Sequence, residues 1–125
     1  MSQSQENFFN IDDLELGIFR ELTAGITTRV FPGDEAMLSI VRVDPNAKGK
    51  VHSHIEEQWG FLIKGSLIRL QDGKQFEVNE GDFWRTPGGV MHGVIGGPDG
   101  AVILDVFAPP RIEYLKSGMG FGKGY

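Results

Sequence analysis

From Gly17 onward the chain is a series of short β-prone runs separated by turn residues. Ten runs stand out: "IFREL", "GITTRVF", "EAMLSIVRVD", "KVHSH", "EQWGFLIKG", "SLIRLQ", "KQFEV", "DFWRT", "VMHGVI" and "AVILDVF". The breaks carry turn chemistry at Pro32-Gly33, Pro45-Asn46, Asp72-Gly73, Glu80-Gly81, Pro87-Gly88-Gly89 and Pro98-Asp99-Gly100. So many strands in so little chain leave no room for interspersed helices, and the pattern predicts an all-β fold, a β-sandwich or small barrel. Before them, the first nine residues read as loose, and "NIDDLELG" as one helical turn capped by Asn10 and ended by Gly17.

Two runs are apolar on both faces, "GFLI" at Gly60 to Ile63 and "AVILDVF" at Ala101 to Phe107. Something must cover their outer face, a second sheet or a symmetry-related subunit, and a homodimer is expected. Trp59, Phe61, Phe83 and Trp84 read as core or interface packing rather than a sugar-stacking platform. Arg69 and Arg85, in strand interiors, either face solvent or point into the barrel and add anion affinity.

The 125 residues suit a single domain, 1–125, with an N-terminal extension over 1–16 and a glycine-rich tail over 112–125. That tail either folds over the barrel mouth as a lid hinged at its glycines or hangs free. Twelve basic against 17 acidic side chains give a formal net charge of -5, and no basic stripe is interleaved with aromatics, which argues against nucleic acid as a partner. A small solute or another protein is the expected partner. Neither a basic, apolar leader nor a run long enough for a membrane span is present, so a cytoplasmic protein is expected. The chain has no cysteine, so any metal must be held by histidine, carboxylate or amide oxygen.

That restriction directs attention to "KVHSHIEEQWGFLIKG", which holds two of the three histidines. In a strand, His52 and His54 project on the same side, close enough to share one ion. The third, His92, shares its strand face with Val90 and Val94, where an unpartnered imidazole would be unfavourable. Glu56 and Glu57 read as solvated loop acids, with a bulge as the route by which either would join a metal site. The final strand places Asp105 on one face with Ala101, Ile103 and Phe107 before Pro109-Pro110 turns the chain to Arg111. Two readings stand for that acid: a structural Asp105–Arg111 ion pair, or a proton donor or acceptor with Arg111 gripping a substrate carboxylate.

The two histidine stretches resemble the two motifs of the cupin superfamily, G-x5-H-x-H-x3,4-E-x6-G and G-x5-P-x-G-x2-H-x3-N. His52, His54, Gln58 and Gly65 fall on the first, and Gly81, Pro87, Gly89 and His92 on the second. Gly49 lies three residues before His52 rather than six, and Gly96 stands in the asparagine position. The resemblance implies a small double-stranded β-barrel whose mouth collects His52, His54, Gln58 and His92 around one divalent transition metal: zinc, nickel, iron, manganese or copper. Gln58 replaces the usual glutamate, so the ion would keep its full charge and be the stronger Lewis acid. The alternative is that Gln58 only hydrogen-bonds and three histidines hold the metal.

The combination of H-S-H-x3-Q early and L-D-V-F-x-P-P-R late is similar to the KdgF-type cupins of pectin and alginate degradation. By that resemblance Asp105, Phe107 and Arg111 are the catalytic residues. The implied activity is ring opening of 4,5-unsaturated uronates to an open-chain keto-aldehyde, with a small carboxylated substrate and no redox change. Two other classes stand beside it: an iron-dependent dioxygenase, and a non-catalytic sugar-binding module.

Overall fold

Alternation sets the architecture. In β2 (Ile26–Pro32), Ile26, Thr28 and Val30 are buried while Thr27, Arg29 and Phe31 are not, so one face packs inward. The same parity holds in β3 (Met37–Val43) at Met37, Ser39, Val41 and Val43, and in β7 (His92–Ala108) at Ala101, Ile103, Asp105 and Phe107. The computed structural model describes residues 7–122. The other described strands are β1 (Ile18–Thr23), β4 (Glu57–Gln71), β5 (Lys74–Asn79), β6 (Phe83–Thr86) and β8 (Gly118–Met119). The fold is all-β and single-domain, its inward faces enclosing one core.

The hydrogen-bonded order is β5-β4-β7-β3-β2-β1-β8, with β6 also on β4, so the curved sheet does not close on itself. Two pairs of predicted runs are in fact continuous. "EQWGFLIKG" and "SLIRLQ" form β4, and "VMHGVI" and "AVILDVF" form β7, each long strand changing register where the sheet folds over, between Leu62 and Lys64 and between Gly65 and Leu67. Gly65 takes φ 86°, and a Cβ there would lie 2.0 Å from the Gly100 carbonyl oxygen, so no other residue fits the bend. "KVHSH" is not a strand but a loop with a single His52–His92 bridge.

The N-terminal expectation needs correcting. Asn10 caps no helix: its Oδ1 accepts from the Asp12 amide at 2.8 Å and its carbonyl accepts from Asp13 at 3.0 Å, making consecutive turns up to Gly17. Asn and Asp side chains compete for nearby amides, and four residues of the octet are of these types or glycine, which outweighs helix propensity. The expectation of a loose start falls partly on residues 1–6, outside the described residues, as does residues 123–125 of the tail. Among the described residues no helix is long and apolar enough to cross a membrane.

The outer face is the apolar one foreseen. Leu38 on β3 and Trp59, Phe61 and Ile63 on β4, the strands either side of β7, are exposed, Trp59 at 44% and Phe61 at 40%. Of the four aromatics read as packing, only Trp84 lies against the core; Phe83 faces solvent.

Candidate metal centre

The three histidines meet at one end of the core. His52 and His54 reach it from the loop before β4 and His92 from the first residue of β7, joined by reciprocal backbone hydrogen bonds between His52 and His92 at 2.9 Å. Ring centroids lie 4.6 Å apart for His52–His92, 4.9 Å for His54–His92 and 5.8 Å for His52–His54. One nitrogen from each lies within 4.8 Å of the other two.

The hydrogen bonds fix which nitrogen faces inward. Each Nδ1 meets a backbone carbonyl two residues away: His52 to Lys50 at 2.8 Å, His54 to Glu56 at 3.0 Å and His92 to Val90 at 2.9 Å. A carbonyl only accepts, so all three Nδ1 atoms carry the proton and all three Nε2 atoms present lone pairs. His92 Nε2 is buried without a partner. His54 Nε2 stands 3.0 Å from Gln58 Oε1, itself an acceptor. Two lone pairs face each other there with no proton between them, an arrangement a cation would relieve.

Protonation follows the same direction. Burial, then the nearby guanidinium of Arg111, lowers His54 to about 4; burial, then Arg69, lowers His92 to about 2; burial also lowers His52. Neutral imidazole is the ligating form, so near neutral pH no proton competes for it. The residues therefore fit a metal, with His52, His54 and His92 as donors and the Gln58 oxygen beside them.

Asp105 lies next to this cluster, at 8% exposure, on the inner face of β7. Burial pushes its carboxyl up to about 6, against the opposing pull of Arg69 and of the hydrogen bond from Gln58. The Gln58 amide thus donates to Asp105 and turns its oxygen toward His54. Opposite Asp105 in the ladder is Gly60, where a Cβ would sit 2.4 Å from the Trp84 indole. The absence of a side chain lets Trp84 reach the cavity wall.

Arg111 is almost fully enclosed, at 1% exposure, between Tyr114 at 4.4 Å and Phe107 at 5.7 Å. The Asp105–Arg111 ion pair is not formed. The carboxylate near Arg111 is Glu56, with Oε1 3.9 Å from Arg111 Nε and 3.5 Å from His54 Nδ1. Glu56 is therefore not the solvated loop acid expected, whereas Glu57 is partly exposed and pairs with Arg85 at 3.2 Å. The signal for Glu56 was its parity: it lies two residues before Gln58 and shares its face. Arg69 does point inward, donating to Thr86 Oγ1 at 2.8 Å and Gln71 Oε1 at 3.3 Å. Phe107 packs edge-on against His54, centroids 5.5 Å apart.

Buried polar atoms without a partner gather at this cavity: His92 Nε2, Asp105 Oδ1, Trp84 Nε1, and Nε and Nη1 of Arg111. Such atoms are uncommon in a finished core, and acceptors and donors lining one space mark a ligand site.

Fold and site define a small metal-site barrel, and residues 39–107 match the Cupin domain family; the chain belongs to the cupins. It is 29% identical over 99 residues to the pectin degradation protein KdgF of Dickeya dadantii, covering 78% of this chain and 90% of that protein. It is 35% identical over 88 residues to oxalate decarboxylase OxdC of Bacillus subtilis, covering 66% of this chain but only 23% of that relative's length. Among solved structures, KdgF from Halomonas sp. superposes with TM-score 0.75 at 24% identity, covering 85% of this chain and 96% of that one, which speaks to fold. An RmlC-like cupin from Shewanella frigidimarina gives 0.73 at 24% identity, covering 86% and 96%.

Proposed function

We propose that this cupin is a metal-dependent enzyme of uronate breakdown that opens the ring of 4,5-unsaturated uronates. The observation carrying the reading is the convergence of three inward-facing Nε2 lone pairs on one point, His54 Nε2 beside the Gln58 oxygen, with the Gln58 amide oriented by a buried, proton-competent Asp105. The relationship to a pectin degradation protein supplies the substrate class.

The reaction is an isomerisation. The O1 proton of the hemiacetal leaves, the C1–O5 bond breaks to give the aldehyde, C5–O5 becomes a ketone and C4 takes up a proton. A divalent ion held by His52, His54, His92 and Gln58 would supply Lewis acidity toward the sugar oxygens, undiminished by any carboxylate ligand. Asp105, with its carboxyl near 6, is poised both to give and to accept a proton and is assigned the transfer to C4. Arg111 presents Nε and Nη1 donors that make no hydrogen bond, with Glu56 as the nearby counter-charge, and is assigned the uronate carboxylate; Phe107 forms the wall beside His54. No electrons are gained or lost, so no redox cofactor is needed. The apolar outer face around Trp59 and Phe61 supports the expectation of a homodimer.

The test is incubation of metal-analysed protein with 4,5-unsaturated galacturonate, reading loss of the conjugated absorbance and the open-chain product by NMR. Turnover requiring oxygen, or substrate bound and recovered unchanged, would replace this reading by an oxygenase or a binding module.

A further inference from the structure

The cavity beside the histidines has a volume of only about 40 Å³. One water needs about 10–15 Å³ on this measure, so it holds about three waters, whereas small-molecule sites run to about 300–1,000 Å³. The chain's own tail makes it small. After a 3₁₀ turn at Ile112–Leu115, the backbone returns across the mouth. There β8 adds to β1 in parallel, pairing Arg20 with Gly118 and Glu21 with Met119, and the Gly120 amide donates to the Glu21 carbonyl at 2.8 Å. Beyond it, Phe121 lies over His52 with ring centroids 4.8 Å apart and lines the cavity.

Polar latches hold this segment. Buried Arg20 donates to four of its carbonyls, Glu113 at 3.1 Å, Lys116 at 2.8 Å, Met119 at 2.9 Å and Gly120 at 2.9 Å. Arg111 Nη2 donates to the Phe121 carbonyl at 2.7 Å. Apolar packing within the strap is confined to Phe121, which lies against the core, while Leu115 and Met119 are exposed. A cover held by exchangeable hydrogen bonds opens far more readily than a packed strand. Gly120 and Gly122, at φ 88° and 80°, flank Phe121 with backbone that other residues rarely adopt.

We propose that residues 116–122 form a strap that closes over the histidine cluster and lifts to admit any ligand larger than water, with Phe121 as the roof. One of the strap's latches is Arg111, the side chain assigned above to the substrate carboxylate. Lifting frees its Nη2, so ligand binding and strap position are coupled through one guanidinium. This rests on reading the cavity as the ligand site.

Because the chain has no cysteine, the strap can be locked by one engineered disulfide. In metal-free protein, the probe is carbethoxylation of His52 by diethyl pyrocarbonate, followed by peptide mass spectrometry. Oxidised Glu21→Cys/Met119→Cys, compared with Glu21→Ser/Met119→Ser, is expected to slow modification of His52 by about fivefold or more, and Phe121→Ala to accelerate it by at least about as much. Equal rates in the locked, serine and Phe121→Ala proteins would overturn the strap. If the disulfide does not form, Phe121→Ala against wild type decides alone. No sugar or metal enters this measurement, so it stands or falls separately from ring opening.

Discussion

Replacing Asp105 by Asn should produce a protein that is more stable and nearly inactive. The carboxyl is raised from its ordinary 3.8 to about 6, chiefly by burial, and this already includes the favourable pull of Arg69 and Gln58. At about 1.4 kcal/mol per tenfold change in proton affinity, holding Asp105 ionised in the folded protein costs about 3 kcal/mol. The sign follows from the direction. Below pH 3.8 the group is protonated in both states and costs nothing; as pH rises to 6 the unfolded chain ionises first and stability falls; above 6 the full cost is present. Asn fits the same space, still accepts from Gln58 and carries no charge. Metal-free Asp105→Asn should therefore melt about 8–15 °C above wild type at pH 8, the gap closing toward pH 4. Turnover should fall by about 10²–10⁴-fold while bound metal is unchanged. A variant less stable than wild type at pH 8 would show that Arg69 and Gln58 stabilise the carboxylate outright, and full activity would remove its role in proton transfer.

Other expectations follow from the same geometry. Zinc affinity measured by competition should vary little between pH 8 and 6, because burial holds His54 near 4 and His92 near 2; a tenfold loss for each proton added over that interval would mean the imidazoles are not preset as neutral. Gln58→Glu should bind the ion more tightly but turn over more slowly, read by metal titration and initial rate, since a carboxylate ligand lowers its net charge. Gly60→Ala should destabilise by about 1–3 kcal/mol in denaturant melts, because the methyl meets Trp84 at 2.4 Å. Phe61→Lys should shift a dimer to monomer in sedimentation; a wild type already monomeric would leave the apolar face without that partner.

How much of this was readable from residues varies by scale. Strand parity alone put Asp105 and Phe107 inside with Ala101 and Ile103; spacing paired His52 with His54, and only the resemblance to the two cupin motifs brought His92 to the same site. Register was not readable: the bends at Gly65 and Gly100 fuse four predicted runs into two strands, and nothing local distinguishes a bend from a turn until the partner strand is known. Glu56 was misjudged because an acid next to another acid reads as solvated, while its parity with Gln58 carried the opposite signal. Arg20 and Arg69 show the same limit, since alternation allows an inward position but only their long-range partners, the tail carbonyls and Thr86, make it tolerable.

The most direct measurement is a paired anaerobic assay of wild type and Asp105→Asn, matched for metal content, on 4,5-unsaturated galacturonate. The account predicts loss of the conjugated absorbance with wild type above the buffer rate, abolished by a chelator, restored by metal, and absent from Asp105→Asn. No acceleration by fully metal-loaded wild type, or equal rates from both proteins, would contradict it.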